Sequence, residues 1–365
     1  MLAAQTVSVG AGTGILAACL TLPHLAGPLV APLLDRWTAK RALLATAGVV
    51  YGVALLGAAI LLVSSLVWAS AGCLVVAGAM GPMLTGGLSS RLSDLAGRSS
   101  RTARRVQGMD ALTYGIGASI GPAFVGVSAA AFGPFSAIGA TAVVAIIGAA
   151  LILTLPRVVD GKKEGTTANP WRAVSVLFRE PGLFRTTIIT AITAIPLGAM
   201  PLIAVASAEQ ARMPAANTAG LMTAFGVGNL LASLGVIMVP LRGEANRLVI
   251  RTGAVVAATF GLGLLVTWPP IGYVVFALIG AASGVLFTAS LAARSAYSPP
   301  GAAGQVFISM AGIKVACSSS GAALAGAFLP IGGFAMFAIA TVFAFGALGI
   351  AALDRRRPLD PATDV

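Results

Sequence analysis

Along this chain hydrophobic positions do not alternate with polar ones. They run together for about twenty residues at a time and then give way to short charged or Pro/Gly segments. A helix needs about 20 apolar residues to cross the hydrocarbon of a bilayer. Eleven runs of that kind cover approximately 12–34, 42–64, 67–90, 107–131, 135–155, 185–207, 216–240, 249–268, 271–292, 305–329 and 331–353. Gly and Pro scattered inside them suit helices in lipid, whereas strands of a membrane barrel would alternate apolar and polar residues. The pattern predicts an all-α polytopic membrane protein with eleven helices.

Composition supports this reading. Charged residues make up 9% of the 365 positions, against roughly 25% in soluble domains, and hydrophobic residues make up 58%. The net charge of +12 would suggest nucleic acid in a soluble protein, but the placement of the cations gives it another meaning. Arg36, Lys40 and Arg41 follow the first run, and Arg91, Arg98, Arg101, Arg104 and Arg105 follow the third. Arg157, Lys162, Lys163, Arg172, Arg179 and Arg185 lie in or beside the middle loop. Arg242, Arg247 and Arg251, then Arg294, then Arg355, Arg356 and Arg357 complete the same side. Of 23 cations, 21 fall there, leaving Arg212 on the opposite side and Lys314 inside a run. By the positive-inside rule that side is cytoplasmic, the membrane is the cell membrane, and the surplus charge describes topology. Nucleic acid is not expected as a partner. Cys19, Cys73 and Cys317 lie in apolar runs with no zinc or redox spacing, so no metal or cofactor is expected.

The longest polar segment, 157–184, divides the chain into a bundle over 1–156 and a second bundle over 185–353, with a cytoplasmic tail over 354–365. The halves align weakly with each other. Shifted by 206, Gly14 falls on Gly220 and Arg36 on Arg242; shifted by 200, Ser119, Gly121 and Gly126 fall on Ser319, Gly321 and Gly326. Internal repeats are common in transporters. The first shift makes run 12–34 the second helix of its half, so either the protein has eleven helices with an outside N-terminus or, the favoured expectation, it belongs to a twelve-helix pattern whose first helix would lie upstream of Met1.

At Ala31-Pro32-Leu33-Leu34-Asp35-Arg36, continuing to Lys40-Arg41, the sequence resembles the loop signature of the major facilitator superfamily. Ala31 and Thr38 stand at its glycine positions and Ala39 at a basic one. Gly108, Gly117, Gly121-Pro122 and Gly126 resemble the fifth-helix motif of that superfamily's antiporters, with Val125 where a glycine is expected. The resemblance implies two pseudo-symmetric helical bundles and an alternating-access transporter, most similar to the drug and sugar efflux branch. It also implies that Asp35 caps the eleventh helix, with Arg36, Lys40 and Arg41 forming a conformational switch. The alternative is that these charges only set topology.

On the fifth run, residues seven apart lie within about 20° of each other. Asp110, Gly117 and Gly121 therefore share a face where small residues let another helix approach. Ionisable groups inside a membrane are costly, so few are expected without a function. Lys314, near mid-span and aligned with Tyr114 by the 200-residue shift, is a candidate for binding an anionic group or neutralising a carboxylate, or else snorkels or pairs with helix carbonyls. Asp110, about a turn and a half inside Arg105, reads as an interfacial ion pair or a proton carrier. His24 beside Pro23 reads as a proton relay or as a buried histidine bonded to a backbone carbonyl. Gln107, Asn229, Gln305 and Ser309 are cavity candidates or helix-to-helix hydrogen bonds.

An intramembrane hydrolase built on Cys317-Ser318-Ser319-Ser320-Gly321 and His24 is the enzyme alternative, but no Gly-x-Ser-x-Gly elbow is present. No Walker loop is present either. The sequence reading is a monomeric secondary transporter in the lipid bilayer, exporting small organic molecules in exchange for protons. A uniporter or importer of a small anionic solute, and a transporter-like protein that moves nothing, are the alternatives.

Overall fold

The computed structural model describes residues 16, 18–36, 39–95, 100–155, 170–213, 216–299 and 302–354, apart from some side chains within the helices. All regular structure among these residues is helical. A 3₁₀ turn, Leu22–Ala26, leads into α1 (Gly27–Arg36), followed by α2 (Lys40–Val63) and α3 (Val67–Pro82). A π-helical segment, Met83–Gly87, joins α3 to α4 (Leu88–Leu95). Then come α5 (Ser100–Ile152), α6 (Pro170–Arg179), α7 (Pro181–Gln210) and α8 (Ala216–Met238). The last are α9 (Ala245–Leu262), α10 (Pro269–Tyr297), α11 (Ala303–Phe328) and α12 (Gly332–Leu353). Among the described residues, eight helical stretches are long and apolar enough to cross a membrane.

The boundaries follow local chemistry. Helix α5 contains two of the predicted runs, separated at Gly133, whose φ of 86° and ψ of 163° break the helix. Only glycine adopts that backbone freely. The segment expected as a loop over 157–184 contains the short helix α6, which starts at Pro170, a residue suited to the first helical turn. Glu180 is extended because it precedes Pro181, and this separates α6 from α7. Pro82 and the Gly86-Gly87 pair account for the π-helical segment, where the helix ladder is loosened and Thr85 donates to the Gly81 carbonyl at 3.0 Å.

The chain groups into two compact units that interleave in sequence. One contains Met1–Arg91, Ile120–Val174 and Pro299–Ala316; the other contains Leu92–Ser119, Ser175–Ser298 and Cys317–Val365. In the first, α2 packs on α3 and on the later part of α5, where a Cβ on Gly52 would meet the Ala142 carbonyl at 2.9 Å. The early part of α11 joins this unit, with the Phe307 carbonyl against Gly86. In the second unit α8 packs on α10 backbone to backbone. A Cβ on Gly280 would lie 1.9 Å from the Phe225 carbonyl oxygen, and one on Gly228 would lie 1.9 Å from that of Ala277. Such contact takes the place of hydrophobic burial as the means of holding helices together in lipid. Helices α7, α9 and α12 complete the unit.

Candidate functional site: a buried charge cluster

The second unit gathers charged and polar groups near the basic end of its helices. Arg294, one turn before the end of α10, is 2% exposed, and Asp110 on α5 is 5% exposed. Asp110 and Tyr114 lie close enough to interact electrostatically with the Arg294 guanidinium. The Arg294 guanidinium also lies 5.9 Å from the centre of the Phe287 ring, and Tyr114 meets the same ring edge-on at 4.7 Å. Tyr114, Phe287 and Arg294 therefore stack in sequence, with Asp110 one turn below Tyr114. A buried guanidinium cannot lose its proton, so its cost must be offset by a nearby anion and by ring contact.

A second group lies beside the first. Glu244 caps α9, its Oε1 accepting from the Asn246 N–H at 2.6 Å and its Oε2 from the Arg247 N–H at 2.8 Å. The Tyr297 hydroxyl donates to Glu244 Oε1, and the Tyr297 ring packs over Gly182 of α7. Arg104, near the start of α5, donates from Nη2 to the Gly243 carbonyl at 3.3 Å. Burial pulls the Arg104 guanidinium below its usual range, while neighbouring Tyr297 and Glu244 act in the opposite sense. Helices α5, α9 and α10 are thus tied together through Arg104, Glu244 and Tyr297.

The sequence expectations fall into place unevenly. Arg105 is exposed while Asp110 is buried, and Asp110 acts electrostatically on Arg294. Among the described residues no atom outside the helix lies within 4 Å of a Cβ built at Gly117 or Gly121. A Cβ on Gly108 would lie 3.2 Å from an Ile237 side-chain carbon, and one on Gly115 would lie 2.6 Å from Asn229 Oδ1. Gly108 and Gly115 are also seven apart, and their strip of the helix faces α8. The surroundings of Pro122 and Gly126 lie outside what is described, as do the side chains of Asp35 and Arg36.

Asn229 bridges helices, its Nδ2 donating to the Gly280 carbonyl at 3.3 Å. Gln107 is buried, and its Oε1 accepts no hydrogen bond among the described residues. In the first unit Arg41 holds the end of α5, donating from Nη1 to the carbonyls of Leu153 at 3.0 Å and Leu155 at 3.3 Å, and Lys40 is buried. His24 lies in the 3₁₀ turn, with its ring over Gly81 and its carbonyl against Gly312 of α11. Lys314 is half-buried two residues further along α11, while Gln305 and Ser309 are buried.

Arg294, Glu244 and Tyr297 were not singled out from sequence. Arg294 carried a signal, being the one basic residue of its loop where every other loop on that side has three or more. A lone cation closing an apolar run needs a partner from elsewhere in the fold.

A sequence profile of the Major Facilitator Superfamily matches residues 2–325. The chain belongs to this superfamily. Solved structures of major facilitator transporters share the fold. The human organic anion transporter MFSD10 (TETRAN) is similar with a TM-score of 0.75 and 14% identity, over 96% of this chain and 87% of that one. A bacterial homologue of the iron transporter ferroportin, in an outward-facing state, gives 0.70 and 14%, over 98% and 93%. The E. coli fucose:proton symporter gives 0.69 and 11%, over 98% and 93%. A search of curated proteins finds no match. The protein is a multi-pass major facilitator transporter, not an enzyme, with a small-molecule substrate.

Proposed function

We propose that the protein is a monomeric secondary transporter of the cell membrane that exports small amphipathic organic molecules in exchange for protons. In this reading the basic loops are cytoplasmic and the bundles over 1–156 and 185–353 alternate access around the 157–184 segment. The observation that carries it is the buried Asp110 beside Arg294. Asp110 is the single acidic residue within the apolar runs, and it sits on Leu92–Ser119, the stretch that groups with the helices of the later half. A carboxylate can take up a proton, whereas the guanidinium cannot lose one. Protonation of Asp110 removes the charge that offsets Arg294 and loosens α5 from α10; deprotonation restores the contact. Asp35, with Arg36, Lys40 and Arg41, serves the corresponding role at the start of α11, and Gly108, Gly117, Gly121, Pro122 and Gly126 shape α5 for the movement.

The test uses purified protein in liposomes loaded with a panel of fluorescent amphipathic compounds under an imposed pH gradient. Wild type moves a compound against its gradient. Asp110→Asn abolishes this pumping while leaving downhill exchange within about threefold of wild type. Gradient-driven pumping by Asp110→Asn at the wild-type rate rejects the assignment. A second reading, uniport or import of a small anionic solute, is favoured by Lys314, a half-buried cation in the α11 span. It predicts anion flux without pH dependence, lost in Lys314→Ala. An absence of flux for every compound rejects export of amphipathic organic molecules.

A further inference from the structure

The second unit contains a cavity that the charge cluster does not use, and its origin lies in how three helices meet. Helices α7 and α11 cross backbone on backbone. A Cβ on Gly321 would lie 1.9 Å from the Ile195 carbonyl oxygen, and one on Gly198 would lie 1.9 Å from that of Ser318. Further from the basic end, α11 stops at Phe328, and the chain reverses through Leu329–Ile331 and Gly332, whose φ is 84°. The start of α12 is then pinned to the end of α7. The Phe334 N–H donates to Gln210 Oε1 at 2.8 Å, and Gly333 packs on the Ser207 backbone. Contact between α7 and α11 at one level, and between α7 and α12 at another, leaves a wedge between them.

The wedge has a volume of about 320 Å³, at the lower end of the range for ligand clefts. All twelve residues lining it are apolar, among them Ile195, Pro196, Leu324, Phe328, Ile339 and Phe343. Water has no partner there, and a polar solute finds no donor or acceptor to orient it. The mouth is open to the surroundings, with Leu324, Phe328 and Ile339 exposed at its rim. It continues onto the face of α12 that carries exposed Val342, Phe345 and Leu353, the surface that meets acyl chains in a bilayer. Beyond the upper end stands Arg212, exposed, two residues past Gln210 and in the left-handed region at φ 51°. It is the one cation on that side of the sequence, with exposed Glu209 nearby.

We infer that the wedge holds one acyl chain of a membrane phospholipid whose phosphate lies at Arg212. The site is thus a lipid site in the leaflet opposite the basic loops. Hydrocarbon chemistry selects the chain, the volume admits part of one chain and excludes the headgroup, and Arg212 supplies the charge that a phosphate needs. The inference is independent of what the protein transports.

Native mass spectrometry of detergent-stripped protein titrated with phosphatidylglycerol tests it. Wild type retains one phospholipid per chain at lipid concentrations where a surface control does not saturate. Ala340→Phe and the milder Ala325→Leu, which fill the wedge, weaken this retention at least tenfold, and Arg212→Gln weakens it severalfold. Val143→Phe, on an exposed face of α5 away from the wedge, leaves it unchanged. Melting and size-exclusion profiles identify folded variants, and Ala325→Leu with Arg212→Gln decide the matter if Ala340→Phe does not fold. Equal retention by wild type and a folded wedge-filled variant overturns the proposal. So does a filled variant that keeps its lipid but no longer transports, because the wedge would then belong to the cargo.

Discussion

The ion pair between Arg185 and Asp354 allows the sharpest stability prediction. Arg185, in the first turns of α7, donates from Nε to Asp354 Oδ2 at 2.9 Å and from Nη2 to the Asp354 backbone carbonyl at 2.7 Å. The two side chains are 3% and 6% exposed, so water screens the pair little. Asp354→Ala removes the carboxylate but keeps the backbone acceptor, leaving the buried guanidinium without this anion. Removing one partner of a buried pair costs about 3–5 kcal/mol, because the remaining charge is uncompensated. Asp354→Asn keeps an oxygen acceptor and loses only the charge, so its cost should be smaller, about 1.5–3 kcal/mol. Arg185→Leu with Asp354→Leu removes both charges and should come closer to wild type than either single change. At roughly 2 °C or more per kcal/mol, Asp354→Ala should lower the melting temperature by about 6 °C or more, with Asp354→Asn between it and wild type. Fluorescence-detected melting of the purified protein in detergent measures all four. A melting temperature for Asp354→Ala within 1 °C of wild type, or a double variant less stable than both singles, would refute the reasoning.

Two further outcomes follow from contacts in the second unit. Glu244→Ala removes the cap of α9 and the acceptor for Tyr297, and should cost about 1–2 kcal/mol. Tyr297→Phe loses only the hydroxyl and should cost less, and a reversed order in a melting series contradicts the capping role. Gly280→Ala places a methyl 1.9 Å from the Phe225 carbonyl oxygen and should sharply lower the yield of folded protein. Gly349→Ala, where no atom outside the helix lies within 4 Å among the described residues, should be neutral or stabilising by up to about 1 kcal/mol. Similar yields of the two variants by size-exclusion chromatography would show that α8 and α10 do not need backbone contact.

Much of this architecture could be read from residue order alone. A run of apolar residues long enough to cross a bilayer must hydrogen-bond its own backbone, so hydropathy predicts helices without reference to neighbours. Breaks at Gly133 and before Pro181 are equally local, since they depend on a permitted φ or on a proline clash with the preceding residue. The family motifs likewise sit in short contiguous stretches around Asp35 and Gly121.

Tertiary structure decided which polar groups meet. Asp110 stood near Arg105 in sequence, yet the fold buries it beside Arg294, 184 positions away. The α5 strip that faces α8 carries Gly108 and Gly115, and this could not be chosen from sequence because rotation about a helix axis is set by what packs against it. In a chain this rich in Ala, Gly and Val, almost every face is apolar and small enough to be a contact, so periodicity cannot choose among them. The wedge between α7, α11 and α12 is likewise a property of three crossings, produced by residues scattered between Ile195 and Phe343. Sequence alone determined that the helices are long and apolar enough to cross a membrane and where along the chain the charges interrupt them, because those are properties of single segments in a uniform solvent. Which buried charge faces which, and where space remains between helices, depends on the mutual packing of segments far apart in the chain, and only the folded structure settles it.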